Sequence, residues 1–185
     1  MRSVPADASR GHYLGSWRSG SLKPSAENAS AVPGQHRPCH TAGLTGEGVT
    51  IRQCRHRDAR AVLELWTQAR SEHATTADCL DDVERLIGDS PAALLVAEHG
   101  NEIVGALIAG WDGWRGNMYR LAVREGHRRE GIGIALTRAG EEYLRNCGAC
   151  RVTALVAFED DLAGAFWESA SYPQDQEIGR RVRDL

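Results

Sequence analysis

The stretch RREGIGIAL, Arg128 to Leu136, places two glycines between a basic turn and an apolar run. The strand-like segment MYRLAV, residues 118–123, precedes it, and apolar residues at helical spacing follow from Gly131 to about Cys147. A helix that begins directly after a strand exposes unpaired N–H groups and the positive end of its dipole. Glycines at such a junction let an anion approach the backbone. The stretch therefore predicts a binding site for a phosphorylated ligand.

Spacing separates the phosphate-binding motifs that could occupy this turn. A P-loop requires a lysine after its last glycine, and the only lysine of the chain is Lys23. A dinucleotide fingerprint requires a third glycine where this sequence has Leu136. The remaining structural alternative is a helix start whose glycines only allow close packing. Arg124, His127, Arg128 and Arg129 add positive charge near the turn.

The composition restricts the classes of partner. The 185 residues carry 22 Lys and Arg against 25 Asp and Glu, a net charge of -3, which argues against binding to nucleic acid or to an acidic membrane. Apolar runs stay well short of the roughly 20 residues that span a bilayer. We expect a cytoplasmic protein. Its five cysteines, an odd number, are expected to be free thiols, including the CxxC pair Cys147 and Cys150.

The order of elements predicts one mixed α/β domain over residues 47–185, after a disordered leader over residues 1–46. The leader is rich in Ser, Ala, Gly and Pro and lacks a sustained apolar pattern. In chain order the patterns predict a strand over 49–54, a helix capped by Asp58, a helix over 76–87, a hairpin over 92–111 turning at Gly100-Asn101, and a loop bounded by Gly113 and Gly116. The strand over 118–123 and the helix over 131–147 follow this loop. After them come a strand over 151–158, a short helix over 160–170 and a last strand over 175–182.

Arg128-Arg129-Glu130-Gly131-Ile132-Gly133 has the form R-x-x-G-x-G, and in this position it resembles the acyl-CoA signature of the GNAT superfamily of N-acetyltransferases. The resemblance covers Val49 to about Val182. The segment DDLAGAFWESASY, residues 160–172, lies where that family carries an N-x-x-A-x-x-F-Y-like segment. The resemblance implies a mostly antiparallel sheet with splayed central strands, flanked by helices. It also implies acetyl-CoA as the co-substrate, a primary amine as the acceptor, and no metal.

The resemblance also implies roles for residues of the turn and the strand before it. Backbone N–H groups from Arg129 to Ile134 would hold the CoA diphosphate, and the strand Leu121, Ala122 and Val123 would pair with the pantetheine arm. This strand would splay from the strand over 151–158. A backbone N–H near Val123 would then face the thioester oxygen, where negative charge grows during attack by the amine. The cofactor-binding set is therefore Leu121, Ala122, Val123, Arg128, Arg129, Glu130, Gly131, Ile132, Gly133 and Ile134.

The sequence offers several candidates for the base that removes a proton from the amine. An alkylammonium with a pKa near ~10.4 must lose a proton before it attacks, and a base acting directly or through water can remove it. The candidate bases Glu98, His99, Asp112 and Glu159 lie near predicted strand ends, and Glu72 and His73 end the first helix.

The acid that would protonate the leaving thiolate is also open. Many relatives place a tyrosine where this chain has Trp167, and an indole is not an acid. Tyr172 is a substitute, although packing roles for both residues are the preferred interpretation. Asp160 and Ser171 replace the Asn and Gly that are usual in the family.

Two functions of different class follow. The favoured hypothesis is an acetyl-CoA-dependent N-acetyltransferase that acts as a monomer or homodimer, with an acceptor cleft formed by the first two helices and the loop from Trp111 to Asn117. The alternative is a non-catalytic acyl-CoA-binding regulatory module that retained the turn but lost its acid at position 167. Trp111 and Trp114 could stack on an acceptor or serve in packing.

Overall fold

A mixed sheet with helices on both faces forms the domain. The computed structural model describes residues 43–45, 48–69, 77–89, 92–177 and 179. The strands are β1 Gly43–Thr45, β2 Val49–Gln53, β3 Ala93–His99, β4 Glu102–Trp111, β5 Gly116–Val123 and β6 Val152–Ala154. The helices are α1 Ala59–Gln68, α2 Leu80–Asp89, α3 Ile132–Cys147 and α4 Asp161–Ser169. Short 3-10 turns span His56–Asp58 and Glu125–His127.

The six described strands follow the sheet order β1-β2-β3-β4-β5-β6. Every neighbouring pair is antiparallel except β5 and β6, which are parallel. A parallel pair needs a crossover, and α3 supplies it. The mixed, mostly antiparallel sheet that the sequence predicted is confirmed.

The predicted hairpin is present as β3 and β4, turning at Gly100 and Asn101. Its strands read as nearly continuous apolar runs, and both of their faces are buried. Helices therefore cover the sheet on both sides.

Each face of the sheet has its own apolar cluster. On one face Leu136 and Leu144 of α3 and Trp167 of α4 form a cluster with strand residues that include Leu107 and Met118. On the other face Val62, Leu65 and Trp66 of α1 and Val83 of α2 form a cluster with strand residues that include Ile108. The helical spacing of Val62, Leu65 and Trp66 in the sequence thus identified a true buried face.

Three predicted boundaries differ from the structure. The strand predicted over 151–158 forms only at Val152–Ala154, because the chain turns away from β5 after Leu155. The strand predicted over 175–182 is wrong for its described residues, 175–177 and 179, since they are irregular. The helix predicted over 76–87 begins at Leu80, and residue 76 lies outside the described residues.

Two details at the start of the domain differ from expectation. Gly43–Thr45, inside the predicted leader, pair with β2 through main-chain bonds that a side-chain pattern cannot reveal. Residues 1–42 lie outside the described residues. Asp58 precedes α1, but its side chain makes no capping bond to that helix. It accepts hydrogen bonds from Arg52 and from the Arg55 N–H instead.

Candidate active site

The predicted anion turn lies at the junction of β5 and α3. A 3-10 turn follows β5, and Gly131 occupies the N-cap of α3 with φ 80° and ψ 0°. The N–H of Ala135 donates to the Gly131 carbonyl at 3.0 Å. The N–H groups of residues 132–134 therefore precede the first helical hydrogen bond and have no acceptor within the helix. The structure places these three donors together at the start of α3.

The two glycines of the motif have different reasons to be glycine. Gly131 has a left-handed backbone, and a Cβ built there would meet nothing within 4 Å. A Cβ at Gly133 would lie 2.9 Å from Cε2 of Phe166 on α4. Gly131 therefore shapes an open turn, whereas Gly133 lets α4 pack closely on α3. The close-packing interpretation therefore applies to Gly133, whereas Gly131 leaves the turn open.

Side chains of the turn bond to one another and to the end of β5. Arg128 Nε donates to the Val123 carbonyl at 3.3 Å. His127 Nδ1 lies 3.1 Å from Glu130 Oε2, and its ring contacts His99 edge to face at 5.2 Å between centroids. Arg128 and Arg129 are exposed. The positive charge at the turn thus comes from these two arginines.

Arg124 does not add to that charge, contrary to the prediction. Its Nε atom lies 3.0 Å from Glu102 Oε1, an ion pair without hydrogen-bond alignment. Its Nη1 donates to Gln68 Oε1 at 3.3 Å. These contacts direct the guanidinium toward the first residue of β4 and the last residue of α1.

The main chain of Val123 faces the gap beside β5. The Arg124 N–H donates to the Val104 carbonyl at 2.8 Å, so residues 104 and 124 form a hydrogen-bonded pair. Antiparallel pairs alternate, and the register aligns Val123 with Gly105 as the next, non-hydrogen-bonded pair. The N–H and C=O of Val123 therefore point away from β4.

β5 and β6 separate on that side. Their pairing covers Gly116 to Met118 of β5 and ends with a bond of 3.1 Å from the Leu155 N–H to the Met118 carbonyl. In the described pairings, Tyr119, Ala122 and Val123 pair with β4, and no residue from 119 to 123 pairs with β6. The predicted splay is confirmed, and it leaves Leu121 and Val123 on the edge of a gap.

Trp167 and Tyr172 are both engaged in packing. Trp167 is only 6% exposed and contacts the rings of Phe166 and Tyr172 edge to face. The Tyr172 hydroxyl donates to Glu141 Oε1 at 2.9 Å. Burial, together with this carboxylate, raises the pKa of Tyr172 well above its usual range. The geometry supports the packing interpretation for both residues.

The candidate bases are not gathered at the gap. Glu98 and Asp112 have lowered pKa values, Glu98 through its bond from Arg52 and Asp112 through the N–H groups of Arg115 and Trp114. Such carboxylates are weak bases. Glu159 is exposed beyond β6. His99 lies beside the turn, and residues 72 and 73 lie outside the described residues.

Of the two tryptophans assigned to the acceptor cleft, Trp111 packs partly buried against the α3 side of the sheet. Trp114 is 72% exposed and lies under the Arg115 guanidinium, with its ring centroid 4.3 Å from the guanidinium carbon.

The sequence did not predict the contacts of Arg120 on β5. Its carbonyl accepts a hydrogen bond from Trp66, and its guanidinium pairs with Asp78. An arginine with a left-handed backbone leaves no recognisable signal in a sequence.

The described part of the chain holds no group of three or more His, Cys, Asp or Glu side chains placed to bind a metal ion. Its helices include none long and apolar enough to cross a membrane. The four cysteines in that part, Cys54, Cys79, Cys147 and Cys150, form no disulfide, as expected.

Comparison with known proteins decides the family. The model of the acetyltransferase (GNAT) family matches residues 56–172, which is well over half of the chain. The chain belongs to the GNAT family of acetyltransferases. An acetyltransferase of Sodalis glossinidius is 31% identical over 71% of this chain and 94% of its own length. One from Pectobacterium atrosepticum is 34% identical over 66% of this chain and 86% of its own.

Solved GNAT structures share the fold at lower identity. AAC(6')-Iy, in complex with a bisubstrate analogue of CoA and acetylneamine, superposes with a TM-score of 0.62 at 17% identity, over 75% of this chain and all of its own. An aminoglycoside acetyltransferase from a soil metagenome, in complex with sisomicin, gives a TM-score of 0.61 at 20% identity, over 74% of this chain and 96% of its own. The family match and the two bacterial relatives identify the protein as an acetyltransferase of GNAT type.

Proposed function

We propose that this GNAT protein moves an acetyl group from acetyl-CoA to a primary amine of a small molecule or protein, by direct attack in a ternary complex. The observation that carries the proposal is the arrangement at the end of β5. Free N–H donors at the start of α3 lie next to a strand whose Val123 main chain faces an open gap. A diphosphate and an extended amide-bearing arm fit these two features.

The turn would hold the diphosphate of CoA. N–H groups of residues 129–134 supply the donors, and Arg128 and Arg129 supply positive charge in an otherwise acidic protein. Hydrogen bonds to an ionised acceptor are roughly twice as strong as neutral ones. The residues of this turn that we assign to the cofactor are those from Arg128 to Ile134.

The strand would hold the pantetheine arm and the thioester. Leu121, Ala122 and Val123 lie where β5 has lost its neighbour β6, so an extended ligand can pair with main-chain groups there as an added strand does. We assign the Val123 N–H to the thioester oxygen. It would stabilise the negative charge that grows on this oxygen as the amine attacks.

The proposal requires no covalent intermediate and no acid in the position of Trp167. A thiol with a pKa near ~8.5 is already an acceptable leaving group. Burial of Trp167 in the core gives that residue a packing role, so its presence is not by itself an argument for a non-catalytic module. Tyr172 as the acid stays a prediction. We leave the base unassigned and expect a cytoplasmic monomer or homodimer.

A thiol-release assay with purified protein, acetyl-CoA and a panel of amines tests the function. The panel includes sisomicin and neamine, because related folds are named for aminoglycosides, together with spermidine, lysine and a peptide with a free N-terminus. We expect turnover with at least one amine. Binding of CoA by calorimetry without turnover of any amine would favour the regulatory module, and absence of CoA binding would reject the cofactor assignment.

A further inference from the structure

β5 contains a β-bulge at residues 120 and 121, just before Ala122 and Val123 of the proposed thioester site. Its register with β4 shifts between Ala106 and Ile108, so one extra residue of β5 lies opposite Leu107. Arg120, at this bulge, has a left-handed backbone with φ 56°. That conformation costs a non-glycine residue about 1–3 kcal/mol and persists only where surrounding contacts hold it.

Two contacts from the acceptor-side helices hold the bulge. The buried indole of Trp66 on α1 donates its Nε1–H to the Arg120 carbonyl at 3.0 Å. The Arg120 guanidinium forms an ion pair with Asp78, 2.6 Å between Nη2 and Oδ1, and the two side chains are 29% and 16% exposed. Asp78 lies two residues before α2 begins. Arg120 of β5 is thus bonded both to α1 and to the residues that lead into α2.

These contacts lie next to the proposed thioester site but belong to the opposite face of the sheet. Leu121 and Val123 pack with the α3 and α4 cluster, whereas Trp66 belongs to the cluster under α1 and α2. Arg120 directly precedes Leu121 along the chain. The ion pair can therefore set the distance between the thioester strand and the start of α2 without contacting CoA.

We propose that Asp78 and Arg120 are a positioning pair for the amine acceptor: they fix α2 relative to the thioester strand, so that a bound amine faces the reacting carbonyl. This inference rests on the proposed function, since it assigns the α1 and α2 side to the acceptor. The pair would act through geometry, and neither residue would contact the reacting atoms.

The structure offers variants that separate the ion pair from the bulge. Asp78→Asn removes one charge and leaves β5 untouched. Arg120→Gly removes the other charge but tolerates the left-handed backbone, because glycine adopts positive φ readily. Arg120→Lys keeps the charge and serves as the conservative rescue. Asp175→Asn, which breaks the exposed pair with Arg151 at 3.5 Å, is the matched control.

The kinetic test uses the panel amine with the highest kcat/KM. We expect Asp78→Asn and Arg120→Gly each to lower the kcat/KM for that amine about tenfold, mainly through kcat, because a misplaced reactant reacts more slowly. The double variant should be no worse than either single one, and Arg120→Lys should recover part of the loss. The Kd for CoA by calorimetry should stay within about twofold, since the donor site lies on the other face. Asp175→Asn should match the wild type.

A second readout needs no acceptor. Hydrogen exchange of α2 amides from Val83 to Ile87 in the CoA-bound protein should speed up about tenfold in both single variants, while α3 amides are unchanged. Unchanged exchange in α2, or a fall of the amine kcat/KM accompanied by a raised Kd for CoA, would overturn the positioning role. Absence of CoA binding or of amine turnover in the wild type would instead overturn the proposed function.

Discussion

The helices on one face of the sheet pack through glycine contacts, whereas those on the other face are fixed to the sheet by charged and hydrogen-bonded side chains. On the α3 side, a Cβ at Gly140 would lie 3.0 Å from Leu107 Cδ2 and from Met118 Cε. On the α1 side, Arg52 reaches Asp58 at 2.6 Å and Glu98 at 2.7 Å. The proposed donor site belongs to the first face and the proposed acceptor site to the second.

This difference suits the two ligands of an acetyltransferase. A close-packed interface has little room to adapt, which matches a donor whose structure is constant. Ion pairs and single hydrogen bonds join a helix to the sheet at only a few residues. Substituting one of these residues can therefore shift the helix while the apolar core stays packed. We infer that the α3 face supplies a fixed binding geometry, and that acceptor selectivity is adjusted through the polar contacts of the other face.

Removing Arg52 should give the largest effect on folding. Arg52 and Asp58 are 14% and 8% exposed, and Arg52→Met would leave both Asp58 and Glu98 without the guanidinium that bonds them, with only the more distant Arg57 beside Asp58. Breaking a buried pair in this way costs roughly 3–5 kcal/mol, which urea unfolding at pH 7 would measure. Arg57→Met is the control, because Arg57 lies 3.7 Å from the same carboxylate but is 66% exposed. We expect that control to cost less than about 1 kcal/mol.

The same variant should show a defined pH dependence. Burial opposes ionisation of Asp58, but the bonds from Arg52 and the Arg55 N–H outweigh it and lower the pKa of Asp58. Arg52 also lowers the pKa of Glu98. A lowered folded pKa contributes stability that is present above the unfolded pKa, near ~4, and is lost as the pH falls through the folded value. The difference between wild type and Arg52→Met should therefore shrink below about pH 4. A difference that is constant from pH 7 to pH 3 would contradict this account.

Gly131→Asp should give the largest effect on the donor face. The new side chain has open space, so its carboxylate would stand beside the N–H groups assigned to the diphosphate. Loss of charge-assisted bonds worth about 2–3 kcal/mol predicts roughly 100-fold weaker CoA binding by calorimetry. Gly131→Ala carries the same backbone strain without the charge and should bind CoA nearly normally. Equal affinities of the two variants would reject the assignment of the turn.

Gly133→Ala should instead act on packing. The added Cβ would lie 2.9 Å from the Phe166 ring, and overpacking of this kind costs about 1–3 kcal/mol. Phe166→Leu in the same chain should relieve part of the cost, as measured by urea unfolding. If Gly133→Ala were more stable than wild type, helix propensity would outweigh the contact, and the close-packing role of Gly133 would be wrong.

The donor face was largely predictable because its signals are local. The order of strand, glycine turn and helix is contained in residues 118–147, and alternation and helical spacing located the hairpin and α1. The different functions of Gly131 and Gly133 were not predictable, since Phe166 meets Gly133 only after α4 folds back on α3. β1 was missed because three residues paired through the main chain leave no pattern.

The polar face was not predictable, because its contacts join residues far apart in sequence. Asp78 and Arg120 are each unremarkable among 25 acidic and 22 basic residues, and only the folded chain brings them within 2.6 Å. Arg124 shows the same limit, since proximity in sequence placed it at the turn whereas Glu102 and Gln68 direct it elsewhere. Charged side chains reach far, so their partners depend on tertiary structure.

Tyr172→Phe should give the smallest effect if the packing interpretation is right. The variant loses one hydrogen bond to Glu141, which contributes about 0.5–1.5 kcal/mol to stability, and it keeps the ring contact with Trp167. The kcat for the best panel amine should then change less than about twofold, whereas loss of a general acid typically lowers the rate 10²–10⁴-fold. Glu141→Gln sharpens the test, because removal of the carboxylate should lower the raised pKa of Tyr172. A rate that falls 100-fold in Tyr172→Phe, with a basic limb of the pH profile that moves in Glu141→Gln, would make Tyr172 the acid and extend the catalytic machinery to α3.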